Sequence, residues 1–255
     1  MSPGLAELTA GATWARNEEG ESRGSVNRVT LRDGGAFYLK YGVGRVADDI
    51  VAEAVRLRWL AGRLPAPAVR FFACEANAAW LLTEALPGLT GDQWLAREPG
   101  RLPLIVRALA GFMRRLHGLP IRECPFEAGH AIRLEAARRN VAEGVVEKDD
   151  FDEELLGWSA AEVLDEASRL APESPGRVVT HGDFSLGNFV FDEAGEVVGC
   201  IDMGRLGVAD PYQDITILWN NLREFGTGAA ELLSWELGIA DERRLRFHLC
   251  LDELF

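Results

Sequence analysis

The sequence predicts an α+β fold of two lobes: a small, sheet-rich lobe over residues 1–85 and a larger, mostly helical lobe over 86–255 that carries an inserted hairpin. Three observations point there. The first 85 residues set apolar runs rich in β-branched and aromatic side chains around one helical stretch, in the order ββαββ. The segment "ALPGLTG" (85–91), with a proline and two glycines, then interrupts the pattern as a hinge. Beyond it apolar residues recur at helical spacing, except where "RVVTHGD", "FVFD" and "EVVGCID" return to strand character.

In chain order, "SVNRVTLR" and "AFYLKYG" flank Asp33-Gly34-Gly35, a hairpin turn. "DDIVAEAVRLRWLAG" is a helix with Asp48 and Asp49 as caps, Gly62 as its close, and Ile50, Ala54, Leu57 and Ala61 on one face. "AVRFFA" and "AAWLLTE" are two more strands around Glu75-Ala76-Asn77. In the second lobe, "LPLIVRALAGFMRRLHGL" carries the stripe Leu104, Leu109, Phe112, Met113 and Leu116. "AIRLEAARRNVAEG" and "SAAEVLDEASRLA" are further amphipathic helices. The late hairpin turns at Ala194-Gly195, and two or three helices follow from about Pro211. The seven Trp, Trp59, Trp80 and Trp219 among them, read as core.

The 255 residues carry 40 acidic against 27 basic side chains, a formal charge of -13. Such a chain repels a phosphate backbone, which argues against nucleic acid and for cations, or anions escorted by a metal. Cys74, Cys124, Cys200 and Cys250 lie far apart and form no C-x-x-C pair, so zinc is not expected and free thiols in a reducing cytoplasm are. The N-terminus lacks the basic-then-apolar order of a signal peptide, and no apolar run is long enough to span a membrane.

The chemistry concentrates in the late hairpin. "HGDFSLGN" sets Asp183 five residues before Asn188, just past a strand end. If Ala194-Gly195 is a two-residue turn, Glu193 faces Glu196, Asn188 faces Ile201, and Asp202 lies beside Asn188. Phosphoryl transfer uses such a set: one carboxylate to orient a hydroxyl and accept its proton, and a carboxylate and an amide oxygen to hold hard Mg²⁺ ions. Singly, each of the three residues would be an ordinary turn residue; the ordered trio points to a kinase. The same template requires a strand Lys held by a helix Glu. Lys40 in "FYLKYG" and Glu53, 13 residues later, meet it. No P-loop is present. "EGESRGS", with Gly20, Ser22 and Gly24, is a weakly specific substitute. His181 and His117 read as organising, packing or capping residues, Asp210 as a helix cap and Asp214 as a brace for the catalytic loop.

With these residues in view, "VVTHGDFSLGNFVFDEAGEVVGCIDMGRLGVADPYQDI" (178–215) closely resembles the aminoglycoside 3′-phosphotransferases, the kanamycin and neomycin kinases, and most of all their type I subgroup. The likeness extends through "FYLKYG", "EAVRLRWL", "AAWLLTEALPG", "RRLHGLPIRECPF", "KDDFDEELLGW", "LWNNLREF" and "FHLCLDELF". It implies a bilobal, eukaryotic-protein-kinase-like fold and transfer of the γ-phosphate of ATP (or GTP), with Mg²⁺, to a drug 3′-hydroxyl in a cytoplasmic monomer or weak dimer. Asp183 matches the catalytic base, Asn188 and Asp202 the metal ligands, and Lys40 with Glu53 the phosphate-binding pair. Ser22, Tyr38, Thr83 and Ala85 match nucleotide contacts, the last two through backbone groups in the hinge. Asp150, Asp152, Glu153, Arg205, Glu253 and Phe255, with Asp183, match the drug site, while Arg205 is equally readable as a structural ion-pair partner. The resemblance departs at Asn220-Asn221, where several subgroups carry Arg-Asp, so Asn221 would offer a drug amine only an uncharged contact. Because Lys40, Asp183 and Asp202 are all present, an active enzyme is expected over a nucleotide- or cation-binding module without catalysis; a kinase for another small hydroxylated amine is the neighbouring alternative.

The stretch "EKDDFDEEL" (147–155) has six carboxylates in its first eight residues. By composition it is a solvated charge run. By resemblance, Asp150, Asp152 and Glu153 face the polycationic drug, and Glu147, Asp149 and Glu154 face water.

Overall fold

In the computed structural model, which describes residues 3–16 and 24–255, the early strand-forming runs close into a five-stranded antiparallel sheet. Its strands are β1 (Thr13–Arg16), β2 (Ser25–Thr30), β3 (Ala36–Val43), β4 (Val69–Glu75) and β5 (Ala78–Glu84), in the order β1-β2-β3-β5-β4. Gly34 at φ 90° makes the β2–β3 turn, and the Asp33 carboxylate accepts the Gly35 N–H at 2.9 Å. Edge strand β1 and the helix α1 (Pro3–Leu8) add to the expected ββαββ order. Each is too short to show a period, yet α1 places Leu5, fully buried, against Val29, Leu39 and Leu82 on one face of the sheet.

Helix α2 (Arg45–Leu60) starts earlier than its aspartates suggest. Its N-cap is Gly44, at φ 58° and ψ −131°, a conformation that suits glycine, so Asp48 lies in the first turn and neither it nor Asp49 is the cap. Ile50, Ala54 and Leu57 are buried, whereas Ala61 is exposed because the helix ends at Leu60.

The chain divides into two compact units. One comprises the chain through Leu89 with Val190–Ala194 and Val198–Arg205; the other comprises Thr90–Phe189, Gly195–Val197 and Leu206–Phe255. Strands β6 (Leu89–Thr90), β8 (Phe189–Phe191) and β9 (Val197–Cys200) make a three-stranded sheet. Residues 192–196 connect β8 to β9, a longer link than the expected two-residue turn. A tight hairpin turn of that kind favours positive φ at both central residues; Gly195 has φ 85°, but Ala194 does not adopt a positive φ.

The second unit holds the helices α3 (Gly91–Arg97), α4 (Leu102–His117), α5 (His130–Glu143), α6 (Ala160–Leu170), α7 (Tyr212–Arg223), α8 (Thr227–Leu237) and α9 (Glu242–Asp252), and pairs β7 (Val178–Thr180) with β10 (Gly207–Ala209). Reciprocal caps start α3 (Thr90 with Gln93) and α6 (Ser159 with Glu162), and Gly144, left-handed at φ 68°, ends α5. On α4, Leu109, Phe112, Met113 and Leu116 are buried, but Leu104 in the first turn is exposed. Helices α5, α6 and α9 share a core of Leu134, Val163, Phe247, Leu251 and Leu254. Trp94 is buried, but Trp14 and Trp235 are exposed, so the tryptophans are not uniformly core. All four cysteines are free thiols. Among the described residues no helix is long and apolar enough to cross a membrane.

Candidate active site

In the first unit, the alternation of β3 sends Leu39 into the core shared with α1 and turns Tyr38 and Lys40 to the other face, where α2 packs. Lys40 Nζ donates to Glu53 Oε2 at 2.8 Å and Oε1 at 3.0 Å, and also to Asp202 Oδ1. Glu53 is buried on α2. Asp202 follows β9 at φ 57°, a left-handed conformation rare for a residue with a side chain. Burial works against the Lys40 ammonium, but the carboxylates of Glu53 and Asp202 outweigh it and hold its pKa above the usual lysine value. One ammonium against two carboxylates leaves the cluster a net negative charge, which accommodates a further cation. Tyr38 pairs with Thr83 across β3 and β5. The Ala85 N–H donates to the Ala36 carbonyl at 2.9 Å, so a base contact through that amide requires exchanging this bond. Arg205 ends a 3₁₀ turn over Met203–Arg205 and is exposed.

In the second unit, the segment after β7 is held from beneath by Asp214 of α7, which is wholly buried. Its Oδ2 accepts the His181 N–H and its Oδ1 the Gly182 N–H, both at 2.9 Å, while His117 Nε2 lies 3.0 Å from Oδ2. Gly182 takes φ 88° to make the bend. The buried His181 ring packs on Phe184 and Phe189, and its Nδ1 accepts the Asp183 N–H at 3.3 Å, an organising role. Asn188 Nδ2 and the Ser185 N–H both donate to the Asp183 carbonyl, at 2.9 and 3.0 Å. The Asp183 carboxylate itself accepts no hydrogen bond among the described residues. A half-buried carboxylate on a braced loop is placed to take a proton from an incoming hydroxyl.

Sequence reasoning identified the Asp214 brace but missed two residues that complete the support. His117 was expected to pack or cap, and Asn221 Oδ1 accepts the Leu186 N–H at 3.2 Å, which ties α7 to the far end of the loop. The cap of α7 is Pro211, because the chain is already helical there; the buried Asp210 still accepts the Tyr212 N–H at 2.9 Å and the Gly176 N–H at 2.7 Å. Asp92, in the first turn of α3, stands against Gly187 of the loop, and burial with the nearby Glu224 raises its carboxyl pKa.

The acidic stretch does not face water or substrate as one surface. Asp152 Oδ1 accepts the Glu154 N–H at 3.0 Å as the cap of a 3₁₀ turn, and Asp152 Oδ2 accepts from Arg223 Nη1 at 2.9 Å. With its side chain only 10% exposed, Asp152 is turned inward, contrary to expectation. Glu154, expected to be solvated, accepts from Arg246 at 2.6 Å. Glu153 is exposed. At the C-terminus, Arg133 donates to Asp252 at 3.1 Å and stacks on the Phe255 ring, while Asn140 donates to the Leu254 carbonyl at 2.9 Å, so α5 fixes the segment that carries Glu253 and Phe255. Ser22 and the Asp150 side chain lie outside the described residues.

With this geometry in hand, comparison with known proteins is informative. The phosphotransferase enzyme family (APH) matches residues 14–248. An aminoglycoside 3′-phosphotransferase of Escherichia coli is 47% identical over 98% of this chain and 93% of its own length. The crystal structure of a type VIII aminoglycoside 3′-phosphotransferase superposes with a TM-score of 0.86 at 34% identity, covering 99% of this chain and 97% of that one. The Streptomyces rimosus aminoglycoside phosphotransferase APH(3″)-Id, solved with ADP and streptomycin, has a TM-score of 0.85 at 32% identity, covering 98% of this chain and 95% of that one.

Proposed function

Since the chain belongs to the phosphotransferase enzyme family, we propose that it is an aminoglycoside 3′-phosphotransferase, which moves the γ-phosphate of ATP to the 3′-hydroxyl of kanamycin- and neomycin-class drugs and so inactivates them. The observation that carries this beyond likeness is the braced loop: Asp214 and His117 fix its start, Asn221 its end, and the Asp183 carboxylate is left open.

Asp183 orients the drug hydroxyl and accepts its proton as the oxygen attacks phosphorus. Lys40, held by Glu53, neutralises the α- and β-phosphates, and Tyr38 packs on the base. Asn188 and Asp202 are the oxygen donors we assign to Mg²⁺, and the net negative charge around Lys40, Glu53 and Asp202 fits a further cation. Held there by Asn188 and Asp202, such an ion would supply positive charge to offset the charge developing on the phosphate oxygens. The rest of the rate enhancement is positioning. The drug is a set of ammonium groups with little apolar surface, so Glu153 and Glu253, with Phe255, Asp150 and Arg205 shaping the pocket, supply its recognition.

A coupled assay of ADP release on addition of kanamycin tests this. Turnover is expected in the wild type and its near-abolition in Asp183→Ala, with drugs that lack a 3′-hydroxyl binding without being phosphorylated. If kanamycin elicits no ADP release, the proposal fails.

A further inference from the structure

The acidic loop is closed by a cation from the chain itself. Arg223, the last residue of α7, donates to Asp152 Oδ2 at 2.9 Å and to Asn220 Oδ1 at 3.0 Å, lies 3.5 Å from Glu154 Oε1, and stacks on the Trp219 ring. Because the other Asp152 oxygen caps the 3₁₀ turn, both oxygens of that carboxylate are engaged. The loop's apolar residues, Phe151 and Leu155, are sunk in the core of α5, α6 and α9. Asp152 therefore cannot swing outward without abandoning an ion pair in a poorly hydrated position and uncapping its own turn.

Arg223 also stands on the helix that supports the catalytic loop. Asp214 lies nine residues before it and Asn221 two residues before it, and both bind that loop. At 1.5 Å per residue, roughly 14 Å of rigid helix separates the brace from the clamp. A substrate whose reacting hydroxyl must reach Asp183 while its ammonium groups reach the loop needs such a fixed spacing.

We infer that Arg223 positions the acidic loop for drug binding, that Asp152 is its anchor and not a drug ligand, and that Glu153 is an exposed carboxylate the loop presents. This rests on the aminoglycoside-kinase function proposed above and goes a step further, to how the substrate site is set.

Steady-state ADP release with kanamycin as the varied substrate tests it in Arg223→Ala, Arg223→Lys, Asp152→Asn and the double variant Asp152→Asn/Arg223→Ala. Arg223→Ala is expected to raise the KM for kanamycin about tenfold, with kcat within about threefold and the KM for ATP unchanged. Asp152→Asn should do the same, the double variant should be no worse than either single, and Arg223→Lys, which keeps the charge and the fold, should recover part of the loss. An unchanged or lower drug KM in Arg223→Ala, or single effects that multiply in the double variant, would overturn the inference. Amide hydrogen exchange across residues 148–158 of the protein alone separates this from failure of the kinase proposal. Exchange there should quicken about tenfold in Arg223→Ala even if kanamycin proves not to be a substrate, and unaltered exchange would refute the clamp.

Discussion

Replacing Asp214 by Asn alters a single atom of the carboxylate and should still disable the catalytic loop. The buried carboxylate accepts the His181 and Gly182 N–H groups and faces His117 Nε2, so both oxygens act as acceptors. An amide has one acceptor oxygen. If that oxygen keeps His181 and His117, the new NH₂ meets the Gly182 N–H, donor against donor. One charge-assisted bond is lost, about 1.5–3 kcal/mol, and a buried N–H goes unsatisfied, about 1–3 kcal/mol more. The sum is about 2.5–6 kcal/mol, which for a chain of this size lowers the Tm by roughly 5–24 °C. Activity should suffer separately, because a loop displaced by about 1 Å can lose about 10²-fold in rate. Urea denaturation gives the stability change and the coupled ADP assay at saturating kanamycin gives kcat. A variant that melts early yet keeps kcat within twofold would show that Asp214 supports the fold but does not position Asp183.

Lys40→Met should leave Glu53 and Asp202 without their shared cation and lower kcat/KM for ATP by ~10²-fold or more, with a stability loss of about 1–3 kcal/mol in urea; unchanged ATP kinetics would remove Lys40 from the nucleotide site. His248 is 3% exposed, and burial, reinforced by Arg133, His130 and Arg244, pushes its pKa well below the usual value. The unfolded chain takes up that proton near pH 6.5 and the folded one does not, so the stability it contributes is complete above about pH 7 and falls on acidification below about 6.5, by up to about 1.4 kcal/mol per pH unit. His248→Gln should flatten the dependence between pH 7 and 5, and an equal slope in the variant would assign it to other groups. The KM for kanamycin should rise with ionic strength, by less than six free loop carboxylates would require.

What could be read from sequence was local. Strand β5 is found where its apolar run and the turn before it placed it, and Lys40 meets Glu53 because a strand, a short turn and the next helix leave few ways to arrange residues 13 apart. Asp214 was recognisable as a brace from its place beside a helix start. The partners lying farther away were not. His117 reaches Asp214 across 97 residues, and nothing in the periodicity of α4 distinguishes a terminal His that packs from one that binds a buried carboxylate. The start of α2 was misplaced for a different reason. Aspartate is a good cap, but Gly44 bends the chain a turn earlier, and the preference of one side chain yields to the geometry of the turn.

The acidic loop shows why counting charges misleads. Carboxylates adjacent in sequence were judged by their neighbours, yet Asp152 and Glu154 are engaged by Arg223 and Arg246, 71 and 92 residues away. A drug ammonium competing for Asp152 would have to give up its translational freedom and displace a guanidinium already tethered within reach, whose effective concentration is millimolar or higher. At ordinary drug concentrations the tethered cation prevails. Under the drug site proposed above, discrimination among drugs would follow how well their ammonium groups reach Glu253 and the exposed Glu153, not the formal charge of the loop. A chain with Arg at 223 and one without it can therefore share the same acidic stretch and still prefer different drugs.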